Sequence, residues 1–367
     1  MLQTIAKQAP KQMMRVIAVA IMLAGVTACN DDDSETIITP VITYGEYGTE
    51  TALTLARDYP GRYMGSSTEL AAAQYMKQRM TFGDNGNEVV LEPFTFVASR
   101  GPFAEQSITS QNVIFTHEGT QNTGRTLYVG AHYDSATQYP NYIELEGLDD
   151  NASGSGVLSE LVYHFRGVDT VDTIKFVAFG SEEGGLQGSK AFVDSLTQDE
   201  IDNAIGMINL DSLLTGDNMY ANAGDNSYDD DGNEIAANVK LREAALRIAD
   251  KLNIGLQVNP AIIPPDADEP YKPLGVGCCS DQESFDSIMP VVAFEATNWS
   301  LGPDFDGYTQ TDNPDIPGGY SWHNPDVDNE AVLTEALGEE RIKQRMSAFA
   351  RIVTELIAEQ VQAESIR

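Results

Sequence analysis

Two adjacent carboxylates, Glu182 and Glu183, lie between glycines in residues 180–185, GSEEGG. They follow an apolar run, residues 174–179, whose β-branched and aromatic side chains are typical of a strand buried on both faces. The carboxyl end of such a strand is where α/β proteins place their chemistry. Adjacent side chains on an extended backbone point in different directions, so one carboxylate can hold a ligand while the other faces substrate or water. The alternative for this stretch alone is a solvated acidic turn.

A histidine and a carboxylate, His132 and Asp134, lie two residues apart at the end of another predicted strand. Residues with this spacing share one side of a strand, so Asp134 can accept a hydrogen bond from the second ring N–H of His132. Metal-bound imidazoles are oriented in this way. Of the other three histidines, we expect His164 to be partly buried by packing and His117 to be exposed, while His323 follows the long Pro/Gly-rich loop 301–320.

Further carboxylates occur where the chain leaves predicted strands or enters loops. Asp149 and Asp150 lie in a Gly-rich loop, and Asp211 ends the predicted strand 205–210. Carboxyl ends of parallel strands meet at one sheet edge, where converging carboxylates repel one another unless a cation neutralises them. Histidines and carboxylates without a thiolate suit zinc, manganese or cobalt. So acidic a ligand set favours two metals that share a bridging carboxylate over one metal.

Strands and helices alternate along the rest of the chain. The predicted strands are residues 89–97, 112–116, 126–131, 174–179, 205–210, 218–223 and 290–296. The main predicted helices are residues 50–59, 69–80, a segment from 157 to about 164, 188–196, 236–252 and 329–361, the last with a break near Gly338. This alternation predicts an α/β fold in three layers, with a mostly parallel, mixed central sheet covered by helices on both faces. No linker divides residues 45–367, so we expect one domain.

Charge and cysteine content narrow the classes of function. The formal net charge is −34 at pH 7, which makes nucleic acid a poor partner because phosphate contacts need a basic surface. Cationic substrates or metal ions suit this charge better, and solubility alone is the alternative explanation of much of the acidity. Cys278 and Cys279 are adjacent, and the sequence leaves open whether they form a disulfide or remain free thiols.

The N-terminal segment has the pattern of an export signal. Residues 1–29 contain three basic residues, no acid, and an apolar run at 16–26 that is too short for an ordinary membrane-spanning helix. Residues 26–29, VTAC, resemble a bacterial lipoprotein cleavage box, which implies cleavage before Cys29 and lipidation of its thiol. A plain secretory signal is the alternative. We expect a protein anchored by lipid in the bacterial cell envelope, facing the periplasm, with residues 30–44 as an acidic tether.

Five motifs together resemble, in order and spacing, the co-catalytic di-zinc aminopeptidases of the M28 peptidase family. The motifs are residues 132–134 (HYD), 147–154 (GLDDNASG), 181–184 (SEEG), 209–211 (NLD) and the late His323. The resemblance runs from about residue 60 to the C-terminal helices. It implies a zinc-exopeptidase fold, hydrolysis of peptide bonds, and peptide or protein N-termini as substrates.

The resemblance also implies a set of metal ligands. Asp150 would bridge two zinc ions, for which cobalt or manganese are substitutes. His132 and Asp211 would complete one ion's site, and Glu183 and His323 the other. The position of Asp150 before residues 151–154 matches the family's bridging aspartate.

Two further residues take roles in catalysis by the same resemblance. Glu182 would be the general base that takes a proton from a water shared by the two metals and passes it to the departing amine. Asp134 would steer His132. The sequence departs from many family members at residues 280–282, which are SDQ where a histidine ends the motif in relatives. That histidine is not a ligand in the pattern, so the departure concerns the pocket wall.

The substrate preference is a hypothesis. Residues 277–279, 295–299, 306–308 and 321–323 resemble an exported bacterial branch of the family, which, with the acidic loop 266–269, favours N-terminal Arg or Lys. Alternative functions are another hydrolase of this fold, such as a carboxypeptidase or a mononuclear cyclase, and a non-catalytic peptide-binding lipoprotein. Retention of both His132 and Asp211 argues against a one-metal site, and the complete ligand set with Glu182 argues against a binding protein. The sequence does not define the oligomeric state.

Overall fold

A seven-stranded mixed sheet is the centre of the structure, a computed structural model that describes residues 43–83, 89–99 and 101–364. The predicted signal peptide and most of the predicted tether lie outside the described residues. The order of strands across the sheet is β1-β2-β4-β3-β5-β7-β6. The strands are β1 (Val90–Val97), β2 (Ser107–His117), β3 (Thr126–His132), β4 (Thr173–Phe179), β5 (Ala204–Leu210), β6 (Asn218–Asn222) and β7 (Val291–Thr297).

The four central strands run in one direction. Strand β3 pairs in parallel with β4 and β5, and β5 pairs in parallel with β7. Antiparallel strands extend the sheet on both sides, because β2 pairs with β4, β1 with β2, and β6 with β7. Every residue of β3 is buried, as a parallel strand covered on both faces requires. The expected mixed sheet is confirmed.

Helices cover both faces of this sheet. They are α1 (Glu46–Asp58), α2 (Ser67–Met80), α3 (Gly154–Phe165), α4 (Gln187–Ser195), α5 (Gln198–Asp202), α6 (Lys240–Leu252), α7 (Glu283–Asp286), α8 (Glu330–Leu337) and α9 (Glu339–Gln360). Two adjacent residues of β4 point to opposite faces of the sheet and pack in different cores. Phe176 belongs to the core shared with α1, α2, α3, α6 and α9, whereas Val177 packs in a second core with Phe192 of α4 and Phe285 of α7.

Local differences from the sequence predictions have structural causes. Strand β2 begins at Ser107 rather than residue 112, because its first residues pair with the end of β1. The prediction that His117 is exposed was wrong. His117 ends β2 opposite Ile174 of β4 and is buried, with its ring 6.4 Å from the ring of Phe165 in α3.

Within the described part of the chain, no helix combines the length and the apolar composition that crossing a membrane requires.

Candidate active site

The register of the parallel strands brings three of the predicted site segments to one level. His132, the last residue of β3, pairs with Phe179, the last residue of β4, so Glu182 and Glu183 follow just beyond it. On the other side Gly130 pairs with Asn209 of β5, which sets Asp211 level with His132. The carboxyl ends of β3, β4 and β5 therefore converge, as the sequence predicted.

Five side chains form two groups that share one carboxylate. In the first group, Nε2 of His132 lies 3.3 Å from Oδ1 of Asp150 and 3.4 Å from Oδ1 of Asp211. In the second, Nε2 of His323 lies 3.2 Å from Oδ2 of Asp150 and 3.3 Å from Oε1 of Glu183. The candidate ligand atoms of each group lie within 4.8 Å of one another. The two oxygens of Asp150 thus face two different histidines.

The donor atoms of both groups fit zinc. They are imidazole nitrogens and carboxylate oxygens without a thiolate, the set found in open catalytic zinc sites. Oε1 of Glu183 is buried and accepts no hydrogen bond from the described residues, although it faces His323. A buried carboxylate oxygen needs a partner, and a cation between the ligand atoms would supply one.

The pKa values of two acids and one histidine show that this cluster stabilises positive charge. Burial raises the pKa of Glu183 to about 8 and raises that of Glu182 well above its ordinary value. Burial by itself lowers the pKa of His323, but the carboxylates of Glu183 and Asp150 outweigh it and raise that pKa to about 9. A cation nearby stabilises ionised carboxylates by the same Coulomb interaction.

Glu182 lies beside the two groups rather than within them. Its Oε2 is 4.0 Å from Nε2 of His132, and the residue lines the cavity in front of the site.

Asp134 contacts both His132 and the backbone of the glutamate pair. Its Oδ1 lies 3.4 Å from Nδ1 of His132, and its two oxygens accept the backbone N–H groups of Glu182 at 2.9 Å and Glu183 at 3.2 Å. Asp134 therefore fixes the backbone of the glutamate pair as well as facing the imidazole.

Asp149, the neighbour of the shared carboxylate, is fully buried, and hydrogen bonds from other parts of the protein occupy both of its oxygens. Its Oδ1 accepts the backbone N–H of Leu214 at 2.7 Å. Its Oδ2 accepts hydrogen bonds at 2.8 Å from the amide of Gln310 and the hydroxyl of Ser321. These bonds use both oxygens of Asp149, which leaves Asp150 to face the histidines.

Asp328, which the sequence reading missed, holds the backbone of that aspartate pair. Its carboxylate accepts the N–H of Asp149 at 2.6 Å and the N–H of Asp150 at 3.0 Å, across 179 and 178 residues of chain.

Arg62 is fully buried and donates to the carbonyls of Tyr133, at 2.6 Å, and Gly147, at 2.7 Å. The two loops that carry His132-Asp134 and Asp149-Asp150 are joined through this guanidinium.

Glu69 supports the glutamate turn from the opposite side and was also missed. Its carboxylate accepts hydrogen bonds from the hydroxyls of Ser110 at 2.7 Å and Ser181 at 2.8 Å, and from the N–H of Gly65 at 2.6 Å. Ser181, which precedes Glu182, adopts a left-handed φ of 55°. Non-glycine residues seldom adopt that conformation, so the hydrogen bond that Ser181 donates to Glu69 helps to define the turn. Only its place in the capping region of α2 marks Glu69 in the sequence.

A cavity of about 550 Å³ opens in front of the two groups. Besides Glu182, three acids outside the groups line it, Glu283, Glu295 and Asp306, together with one lysine, Lys190. Cys278 and Cys279 form a disulfide on its wall.

Known proteins share this sequence and architecture. Residues 112–339 match the family described as peptidase family M28. The alkaline phosphatase isozyme conversion protein of Escherichia coli K12 is 32% identical over 333 residues, which cover 87% of this chain and 91% of that protein. A solved zinc aminopeptidase of Bacillus subtilis, BSAP, has a TM-score of 0.63 at 17% identity over 89% of this chain and 97% of its own. A glutaminyl cyclase from an Acidobacteriales bacterium has a TM-score of 0.61 at 14% identity, over 90% and 99%.

A mixed α/β sheet with histidine–carboxylate groups at the carboxyl ends of its parallel strands, together with these similarities, defines a zinc metallo-aminopeptidase. The chain belongs to peptidase family M28. The family resemblance of the motifs is thereby confirmed, while the structural neighbours, at identities below 20%, show the shared fold.

Asp328→Asn is expected to weaken zinc binding about 10- to 100-fold, the usual cost of losing a residue that orients a metal ligand, if Asp150 holds zinc as its group of donor atoms indicates. The asparagine NH₂ would face one of the two N–H groups that Asp328 now accepts. Competition with a chelator measures the affinity. Asp326→Asn removes the same charge from an exposed position two residues away and is the matched control. Equal zinc affinity of Asp328→Asn and the unchanged protein would show that these bonds do not support the site.

Proposed function

We propose that the chain binds two zinc ions and removes N-terminal residues, preferably Arg or Lys, from peptides or proteins, with Glu182 as general base. The observation that carries the proposal is that the two oxygens of Asp150 face different histidines, His132 and His323. One ion would be held by His132, Asp150 and Asp211, and the other by Asp150, Glu183 and His323. Cobalt and manganese suit the same nitrogen and oxygen donors.

The bound cations would supply polarisation of the scissile carbonyl and a lowered pKa, toward about 7, for a shared water. Glu182 supplies the proton transfer. Its carboxylate lines the cavity, and Asp134 fixes its backbone. From this position it accepts a proton from the attacking water and returns it to the departing amine, the double role of a general base.

The charge of the cavity supports a cationic N-terminal residue as substrate. Apart from the proposed metal ligands and Glu182, the acids Glu283, Glu295 and Asp306 line it. The ammonium group of Lys190 donates to the carbonyl of Gly185 at 2.9 Å and so is held at the wall. A surplus of negative charge in a cleft attracts cations. The same surplus opposes a C-terminal carboxylate, which disfavours a carboxypeptidase.

The number of metal ions is tested by substitution of the shared ligand. We expect about two zinc ions in each unchanged chain, and loss of both in Asp150→Ala because that carboxylate serves both groups. His323→Ala belongs to one group only and is expected to retain about one ion. Elemental analysis after dialysis measures the content. One zinc ion in the unchanged protein, or two in Asp150→Ala, would contradict the shared site.

Catalysis by Glu182 is tested with a panel of aminoacyl 4-nitroanilides. Glu182→Gln removes the proton acceptor but keeps the shape of the side chain, so kcat is expected to fall about 10²- to 10⁴-fold. The zinc content should stay the same because Glu182 belongs to neither metal group. Glu335→Gln, at an exposed position of α8, is the matched control. Full activity of Glu182→Gln, or no cleavage of any substrate by zinc-loaded unchanged protein, would contradict the mechanism.

The cellular location of this activity is also part of the proposal. Residues 1–29 combine basic residues, a short apolar run and the box VTAC at 26–29. This pattern supports export and lipidation of Cys29, which would anchor the enzyme in the cell envelope, facing the periplasm. An anchor by covalent lipid needs no membrane-spanning helix.

Cys29→Ala in the full-length chain tests the anchor. We expect the unchanged protein, expressed in a bacterium with an outer membrane, to incorporate labelled fatty acid and to sediment with the membranes. Cys29→Ala should remain unlabelled. Cys279→Ala, which removes a different cysteine and leaves Cys29 in place, should keep the label. An unlabelled protein with Cys29 intact would contradict the lipid anchor.

A further inference from the structure

Glu295 lies at the same sheet edge as the metal groups, one strand further along. The backbone N–H of Asp211 donates to the carbonyl of Phe294 at 3.0 Å, so Glu295 follows at the level of Asp211. Side chains alternate along β7. Phe294 packs into the core against Phe349 of α9, and Glu295 faces the opposite side, where it lines the cavity.

Two hydrogen bonds fix the Glu295 carboxylate, and both end on the same oxygen. Oε1 accepts the amide of Asn222 at 2.9 Å and the indole N–H of Trp299 at 2.7 Å. Among the described residues, none donates a hydrogen bond to Oε2, and no lysine, arginine or histidine forms an ion pair with Glu295. The fixed carboxylate of this cavity residue thus has no cationic partner among the described residues, and one of its two oxygens is free of hydrogen bonds.

The other acids of the cavity are less suited to direct recognition. Glu283 is exposed, and its Oε1 accepts the backbone N–H of Cys279 at 2.7 Å. Asp306 accepts the N–H of Tyr308, two residues further along the same loop, at 3.0 Å. Glu295 is instead anchored from two sides by side chains and partly buried, which makes an ion pair there stronger than one at the rim. Burial also raises the pKa of Glu295 to about 7, which reflects the lack of a cationic partner.

We propose that Glu295 binds the cationic side chain of the substrate's N-terminal Arg or Lys and so determines the specificity of the enzyme. This inference rests on the proposed aminopeptidase function. A guanidinium or ammonium group would donate to Oε2 while Asn222 and Trp299 keep Oε1. The aliphatic stem of the substrate side chain would pack against the wall formed by Trp299 and the Cys278–Cys279 disulfide, which line the same cavity.

The test compares arginyl and citrullinyl 4-nitroanilides, which have nearly the same shape and differ in charge. The zinc-loaded enzyme should show the higher kcat/KM for the arginyl substrate. Glu295→Gln should lower the ratio of the two kcat/KM values about 10- to 100-fold, since a hydrogen-bonded charge pair is lost. Glutamine keeps an acceptor for Asn222 and Trp299, and the zinc content and thermal midpoint verify that the variant is folded.

The matched control is Glu335→Gln, which removes the same charge from an exposed position of α8 outside the cavity. Its ratio should stay within about twofold of the unchanged enzyme. An unchanged ratio in Glu295→Gln, or an equal fall in Glu335→Gln, would overturn the assignment. Faster turnover of leucyl than arginyl substrate would also overturn it, while leaving the aminopeptidase function intact.

Binding separates this inference from failure of the proposed function. If the zinc-loaded enzyme cleaves no anilide, the proposed function fails, and calorimetry with argininamide and citrullinamide then decides the role of Glu295. A preference for argininamide that disappears in Glu295→Gln would support the inference without catalysis. Equal affinity for the two amides would overturn it.

Discussion

Electrostatic repulsion among carboxylates is the constraint on which this site depends. The fold brings Asp150, Glu182, Glu183 and Asp211 together at one edge of a buried sheet, with His132 and His323 among them. In a medium of low dielectric constant, such a cluster is stable only if cations or hydrogen-bond donors offset each charge. The structure therefore has to provide a donor for every acid that is not to face a metal.

The chain meets this constraint by dividing its acids into two sets. Asp134 and Asp328 accept pairs of backbone N–H groups, and Asp149 accepts one backbone and two side-chain donors. Asp150 and Glu183 direct their oxygens at histidines. The Asp149–Asp150 doublet is split in this way, since adjacent side chains point in different directions. One member of the Asp149–Asp150 doublet fixes the loop while the other faces the histidines.

The sequence was informative wherever the signal is local, and weak wherever it depends on distant contacts. Hydrophobic runs predicted the strands, and the common direction of β3, β4 and β5 predicted that His132, Glu183 and Asp211 converge. The choice of Asp150 over Asp149 came from the family resemblance, because the doublet itself does not distinguish them. Asp328 and Glu69 act on partners far along the chain, so no spacing reveals them. The burial of His117 likewise depends on helix α3.

The same negative potential that favours metal cations also bears on the substrate. Backbone N–H donors neutralise the acids behind the site, whereas Glu295 at the side of the cavity receives its donors on Oε1 alone. It lies beyond the metal groups, so a cation bound there does not compete with the ligands of either group. A substrate with a cationic N-terminal side chain would carry positive charge to Glu295, the cavity acid that two side-chain donors fix and that has no ion pair among the described residues. Metal binding and substrate selection would then depend on separate carboxylates of a single acidic sheet edge.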